Sequence, residues 1–202
     1  MINLIRFIVF IFIITLSLSL KASEASNWLK QEVDKILIAY QDPNLPNENR
    51  FLLIEQTINN NFPGKSIAIN IAKQSYKNAN EETRSNYINL FKRHLALNIA
   101  SLMQGYSNQK YELRDSRYDE KNKVNYIDME VYLDTGEMIV TWRVLKHKER
   151  YFVIDLIISG ISLYETKRSE FNSMLKNVDN DLAKLNEELY KKNESSYQKI
   201  IN

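Results

Sequence analysis

Residues 124–159 read VNYIDMEVYLDTGEMIVTWRVLKHKERYFVIDLIIS, a stretch in which apolar and polar side chains alternate. A period of two is typical of strands that bury one face of a sheet. Turn-forming residues at 134–137 and 148–150 divide the stretch into three strands, and an alternating run before it adds a fourth. The sequence therefore predicts an antiparallel meander of four strands, at 110–118, 124–133, 138–147 and 151–159.

The two hairpin loops predict which strand residues are neighbours. With residues 135–136 as the first loop, Asp128 faces Arg143 on the polar face. A three-residue loop at 148–150 sets Asp155 opposite Arg143 as well. A two-residue loop would instead move Asp155 to the apolar face and strip water from its carboxylate, so the three-residue loop is favoured.

The other face of the predicted sheet is continuously apolar. The first hairpin pairs its residues across the two strands, and the fourth strand adds three more. The predicted pairs are Leu133 with Met138, Val131 with Val140, Met129 with Trp142 and Ile127 with Val144, and the additional residues are Ile154, Leu156 and Ile158.

Asp128, Arg143 and Asp155 are the most concentrated polar group in the sequence. Their expected role is structural, as an ion-pair cluster across three strands. Two carboxylates beside one guanidinium could also perform acid–base chemistry if the pKa of one of them were raised. The structural role is favoured.

Helical periodicity flanks the sheet on both sides. The longest helix is predicted to start near Asn78, with Glu81 three residues on, and its apolar stripe includes Leu95, Ile99 and Met103. An apolar sheet face must be covered, so we expect an α+β domain in which N-terminal and C-terminal helices pack on the meander. The predicted helices are 28–40, 48–60, a short segment at 67–72, 78–105, 163–175 and 178–189.

The first 25 residues have the layout of a secretory signal peptide. A basic Arg6 precedes the apolar run 7–20, and the small residues Ser23 and Ala25 suit the −3 and −1 positions of a cleavage site. An uncleaved N-terminal anchor is the alternative. We therefore expect an exported protein whose single domain spans residues 26–202 and carries a net charge of +1.

The sequence offers few groups for catalysis. It has no Cys and two His, and it contains none of the common zinc, nucleophile or phosphate-loop motifs. Neither His94 nor His147 has a neighbouring partner in the sequence that would mark it as functional. We expect no catalytic residues, no metal and no cofactor, and no nucleic-acid partner.

Residues 139–171 resemble the signature of the MlaC, or toluene-tolerance, family. Arg143 and then Asp155, Gly160, Ser162, Arg168 and Phe171 match that pattern, and the segment around Phe91-Lys92-Arg93 resembles the family's long helix. The sequence departs from the pattern at Tyr151, Ser159 and Lys167.

The resemblance implies a periplasmic phospholipid carrier rather than an enzyme. It also implies docking to an inner-membrane ABC transporter complex and to an outer-membrane lipoprotein–porin complex that together maintain outer-membrane lipid asymmetry. The implied apolar cavity for acyl chains would be lined by Leu95, Ile99, Met103, Met129, Val131, Val140, Trp142, Val144, Ile154 and Leu156.

Three other functions fit the same sequence features. The apolar residues could pack together as a dry core in a periplasmic adaptor that docks proteins on its helices. A similar cone-shaped fold could host an isomerase or dehydratase, provided that a carboxylate or His entered the cavity. A related family branch associated with hopanoid synthesis is the nearest alternative.

Overall fold

A computed structural model describes residues 23–106 and 108–202. The predicted signal peptide lies outside these residues, apart from residues 23–25, which begin the first helix. Within the described ranges, no helix has the length and apolar character needed to cross a membrane.

The predicted α+β fold is confirmed, with helices before and after an antiparallel sheet. The elements in chain order are α1 (23–41), α2 (Asn47–Asn61), α3 (Gly64–Asn78), α4 (Glu81–Met103), β1 (Tyr111–Asp119), β2 (Val124–Leu133), β3 (Gly136–His147), β4 (Arg150–Ile158), β5 (Ile161–Ser162), α5 (Leu163–Asn177) and α6 (Leu182–Ile201).

The chain forms two compact units. The sheet unit contains the described residues up to Val33 together with Gln109–Ser162, and the helical unit contains Asp34–Asn108 and Leu163–Asn202. Helix α1 therefore contributes residues to both units. The single domain expected over residues 26–202 stays a prediction.

The hairpin between β2 and β3 has a different register from the predicted one. Its loop is Asp134-Thr135, and Leu133 pairs with Gly136 rather than with Met138. Gly136 has a φ of 131°, which residues with a Cβ rarely adopt, so glycine suits the position where the chain leaves the turn. Because the shift is two residues, each side chain keeps its predicted face although its partner changes.

In the second hairpin, the predicted pairing of Asp155 with Arg143 is present, but a shorter loop and a β-bulge produce it. Its loop has two residues rather than three, and Val144 pairs with Val153. A β-bulge at Ile154 then inserts one extra residue, after which Asp155 pairs with Arg143 and Leu156 with Trp142. The bulge thus keeps Asp155 off the apolar face, which the loop alone would not do.

A fifth strand, β5, extends the predicted four. The turn Ser159-Gly160 reverses the chain, with Gly160 at a φ of 83°. Ser162 and Ile161 then pair with Ile157 and Ile158. The sheet order is β1-β2-β3-β4-β5.

The helical unit is built around α4. Its N-cap is Asn80, whose side chain accepts a hydrogen bond from the Thr83 amide, and not Asn78, which ends α3. Aromatic rings from α4 and α5 meet in the core, where Phe91 and Phe171 lie 5.0 Å apart between ring centroids. Other buried core residues include Phe51, Ile54, Tyr87, Leu95, Leu97, Leu185 and Leu189.

A polar network crosses this apolar core. The buried His94 ring places Nδ1 3.0 Å from Oδ1 of Asn193, whose Nδ2 donates to the Leu90 carbonyl at 2.9 Å. Nε2 of His94 lies 4.0 Å from the Glu170 carboxylate. Burial and the nearby charge of Lys167 lower the pKa of His94 to about 4.

Glu170 is the charged centre of the network. Burial alone would raise its pKa, but hydrogen bonds from the ammonium groups of Lys167 and Lys192 outweigh burial and lower the pKa to about 2. The native helical unit therefore holds His94 neutral and Glu170 ionised at neutral pH.

These shifts predict a loss of stability in acid. The unfolded chain protonates His94 near its ordinary pKa of about 6.5, whereas the native chain does so only near 4. The free energy of unfolding should therefore fall as the pH drops from 6.5 towards 4, by up to about 3 kcal/mol from this residue. Glu170 adds a further loss between about pH 4.5 and pH 2.

Denaturant unfolding at a series of pH values measures this slope. His94→Gln should flatten the curve between pH 6.5 and 4, while the exposed His147→Gln should leave it unchanged. Equal slopes in the two variants would contradict the role given to His94.

Candidate functional site

The apolar face of the sheet unit is the first part of the candidate site. It consists of rows of side chains that face one another across the strands. The rows are Val131 and Met138; Met129, Val140 and Ile158; Ile127, Trp142 and Leu156; and Asn125, Val144 and Val153.

The structure brings the seven predicted sheet residues of the site to this part of the sheet. Four of them, Met129, Val140, Val144 and Leu156, are buried. The other three are half-buried. The predicted place of Ile154 opposite Val144 is wrong, because Val153 pairs with Val144 and Ile154 is the unpaired residue of the bulge. The remaining two are Val131 and Trp142.

Trp142 has an unused hydrogen-bond donor. Its indole Nε1 is buried and has no hydrogen-bond partner among the described residues. A buried N–H without an acceptor destabilises the protein by about 1–3 kcal/mol. The apolar face therefore includes one donor that a bound molecule with an acceptor oxygen could satisfy.

The first turns of α1 lie against this face, with contacts to residues of β4 and β1. Trp28 packs on Tyr151 with 5.5 Å between ring centroids, and the Lys30 ammonium lies 5.8 Å from the centre of the Tyr111 ring. Ala25 and Leu29, one helical turn apart, are both buried. The sequence pattern of α1 did not indicate a place in the site, because its apolar stripe looks like that of any amphipathic helix.

The predicted residues of the helical unit follow one another along α4. Leu95 is buried in the helical core, and Ile99 and Met103 are partly buried and pack against that core. Their spacing of four residues places all three on one side of the helix. The prediction that they share a cavity with the sheet residues stays a prediction.

The polar cluster is present in a different form. Asp155 is almost fully buried, and its carboxylate accepts hydrogen bonds from Ser162 Oγ at 2.7 Å and from Arg143 Nη1 at 3.4 Å. The predicted pairing of Asp128 with Arg143 is wrong, because the register sets Asp128 opposite Thr141, which donates to it at 2.6 Å.

Asp155 lies on the same face as Arg143, opposite the apolar residues. The Arg143 guanidinium also lies 5.7 Å from the centre of the Tyr126 ring, the residue directly across the β2–β3 pair. The arrangement anchors β5 to β3 and β4 by polar contacts. Across the described residues, no group of three or more His, Asp or Glu is placed to hold a metal ion.

Comparison with known families gives a match to the model described as MlaC protein, over residues 30–191. The chain belongs to the MlaC family. No curated protein sequence matches this MlaC-family chain.

Among solved structures, the fold of this MlaC-family chain is similar to that of a phospholipid-binding protein from Ralstonia solanacearum, which was determined in complex with a phospholipid. The TM-score is 0.73, and the match covers 86% of this chain and 98% of that protein. At 21% sequence identity, the likeness shows a shared fold.

The residues that carry the MlaC resemblance have separate structural roles. Arg143, Asp155 and Ser162 form the polar cluster, and Gly160 makes the turn that brings Ser162 back to Asp155. Phe171 is fully buried in the helical core. At these positions, the residues of the MlaC motif therefore stabilise the fold.

Removing the Asp155 carboxylate should destabilise the sheet unit. Asp155→Ala leaves Arg143, Ser162 and the Leu156 amide without their acceptor, which should lower the free energy of unfolding by about 2–3 kcal/mol. Denaturant unfolding measures the loss. The matched control is Asp115→Ala, at an exposed position of β1, which is expected to stay within about 0.5 kcal/mol of the unmutated protein. Equal losses in both variants would refute the cluster's structural role.

Proposed function

We propose that this protein binds one phospholipid through its acyl chains and carries it through the periplasm. Membership of the MlaC family supports the proposal, as does the shared fold with a protein that was determined in complex with a phospholipid. The observation that carries it is the continuous apolar face of the sheet unit, with the rows centred on Val140 and Trp142.

The energetics of lipid transfer require an enclosed site. A diacyl lipid has roughly 30 chain carbons, and each CH₂ kept from water is worth about 0.8 kcal/mol. Leaving half of the carbons exposed would forgo on the order of 12 kcal/mol. The proposed cavity therefore encloses both chains and leaves the head group near water.

The ten predicted cavity residues suit cargo of variable shape. Met129 and Met103 have flexible, polarizable side chains that adapt to different chain lengths. The two carboxylates weighed as acid–base groups lie on the opposite face, where Asp155 is bound by Ser162 and Arg143 and Asp128 by Thr141. Binding without turnover is therefore the proposed activity.

The proposed carrier would exchange lipid with two membrane complexes. These are an inner-membrane ABC transporter complex and an outer-membrane lipoprotein–porin complex, with export by a cleaved signal peptide. The support is the family membership together with the apolar run in residues 7–20 of the sequence. Transfer of labelled lipid between the protein and each isolated complex would test this step.

Blocking the apolar face should reduce lipid binding. In Val140→Trp the larger ring would displace at least two cargo methylenes, which corresponds to about a tenfold loss of affinity. The measurement is mass spectrometry of organic extracts from protein purified without detergent. Ile139→Trp is the matched control, because Ile139 is the preceding residue, points to the other face and is 42% exposed.

A folded Val140→Trp protein that keeps as much lipid as Ile139→Trp would exclude this face as the wall of the site. Circular dichroism and a thermal melt establish that each variant is folded. Absence of lipid from several preparations of the unmutated protein would refute phospholipid binding itself.

The indole N–H of Trp142, which is free among the described residues, predicts a preference for lipids that carry an ester carbonyl. Trp142→Phe keeps an aromatic ring and removes the indole N–H. If an ester carbonyl oxygen of the lipid accepts this hydrogen bond, the variant should bind ester-linked phospholipid about three- to tenfold more weakly. The affinity for an ether-linked analogue, which lacks the carbonyl, should change less. Equal losses for the two lipids would contradict the hydrogen bond.

A further inference from the structure

A small polar cavity lies within the helical unit, where the ends of α1, α4 and α6 meet the start of α2. Its volume is about 300 Å³. Two basic residues, Arg50 and Lys199, and two tyrosines, Tyr40 and Tyr106, are among the residues that line it. No Asp or Glu side chain is among the described residues that line the cavity.

Arg50 brings a positive charge to the cavity, and it has no ion-pair partner among the described residues. Its Nη2 donates to the Asp42 carbonyl at 2.6 Å and its Nη1 to the Asn47 side chain at 3.4 Å, and both acceptors are neutral. Nε is buried and has no hydrogen-bond partner in the described part of the chain. A guanidinium has five N–H donors, so Arg50 keeps unused donors and its full charge.

Tyr40 lies beside the Arg50 guanidinium, and both tyrosines add hydroxyl groups to the cavity. The Arg50 guanidinium lies 5.5 Å from the centre of the Tyr40 ring, and the Tyr106 ring packs edge-on against Tyr40. Burial raises the pKa of Tyr40, although the charge of Arg50 acts in the opposite direction. The Tyr106 oxygen accepts a hydrogen bond from Gln41 at 3.3 Å, which leaves its O–H proton to be donated.

The start of α2 directs backbone amides towards this end of the helical unit. Its N-cap is Pro46, which supplies no side-chain cap to the amides of the first turn, and Glu48 is the acidic residue of that turn. Amides at a helix N-terminus favour nearby negative charge. Asn47 belongs to this first turn and lines the cavity together with Arg50.

We infer that this cavity binds a phosphate group through Arg50, Lys199 and the hydroxyl groups of Tyr40 and Tyr106. The planar guanidinium matches two oxygens of a phosphate, and an ammonium and hydroxyl donors suit the others. A volume of about 300 Å³ is at the lower limit of ligand sites and fits a phosphate with a short substituent rather than acyl chains. The inference does not depend on the proposed carriage of lipid.

The phosphate can come from a glycerophospholipid head group or from a soluble phosphate. The test is calorimetric titration of the full-length protein with inorganic phosphate, glycerol 3-phosphate and glycerophosphoethanolamine, against sodium chloride of equal ionic strength. Binding of glycerophosphoethanolamine, a diester, supports the cavity with a lipid head group as its source. Binding of inorganic phosphate or the monoester alone supports the cavity with a soluble phosphate as its source.

Lys199→Gln is the decisive variant, because Lys199 is exposed and lies near the end of α6. Loss of one charge-assisted hydrogen bond should raise the Kd for phosphate about tenfold. Arg50→Gln should also raise the Kd for phosphate. Because Arg50 donates a hydrogen bond to the Asp42 carbonyl, the Kd of this variant is interpreted only after circular dichroism shows that it is folded. Lys191→Gln, exposed on the same helix, should leave the Kd unchanged.

Absence of phosphate binding above the chloride baseline would overturn the inference. An unchanged Kd in Lys199→Gln would overturn it as well. Phosphate binding in a protein that carries no lipid would support this cavity while the proposed function fails, so the two outcomes can be told apart.

Discussion

The buried carboxylate of Asp155 is the constraint on which the sheet depends. A carboxylate removed from water requires hydrogen-bond donors, and it has three of them in Ser162 Oγ, Arg143 Nη1 and the Leu156 amide. These donors come from β5, β3 and β4 itself, so satisfying one group fixes how three strands align. The bulge at Ile154 makes this alignment compatible with a two-residue turn. Every apolar residue after the bulge then keeps its place on the opposite face.

Sequence reasoning predicted the part of the fold that depends on side-chain periodicity. The alternation over residues 124–158 gave the strands and their faces, and the penalty for placing Asp155 among apolar residues gave its pairing with Arg143. The position of the loop was wrong by one residue in the first hairpin, and the length of the loop was wrong in the second. A φ of 131° at Gly136 and an extra residue at Ile154 are backbone solutions that have little signature in the order of apolar and polar residues.

In the candidate site, too, the features that follow from local side-chain spacing were predicted, and the long-range contacts were not. The seven predicted sheet residues lie on neighbouring strands because alternation places them there, and Leu95, Ile99 and Met103 share one side of α4 because of their four-residue spacing. The contacts of α1 with Tyr151 and Tyr111 were missed, since they join segments more than 80 residues apart in the sequence. The basic cavity was missed for the same reason. Arg50 and Lys199 line one cavity only because the folded chain brings the ends of α1, α4 and α6 to the start of α2. Long-range proximity of this kind leaves no local pattern.

The shape of β4 also bears on how the protein avoids pairing with other copies of itself. Strand β5 pairs only with Ile157 and Ile158, so most of the outer edge of β4 has no strand beside it among the described residues. An open edge rich in Val, Ile and Phe invites pairing with the same edge of another molecule and, from there, aggregation. The irregularity at Ile154 interrupts the flat hydrogen-bonding row, and the charged Arg150 begins it. The bulge that positions Asp155 therefore also disfavours edge-to-edge pairing of β4 between molecules.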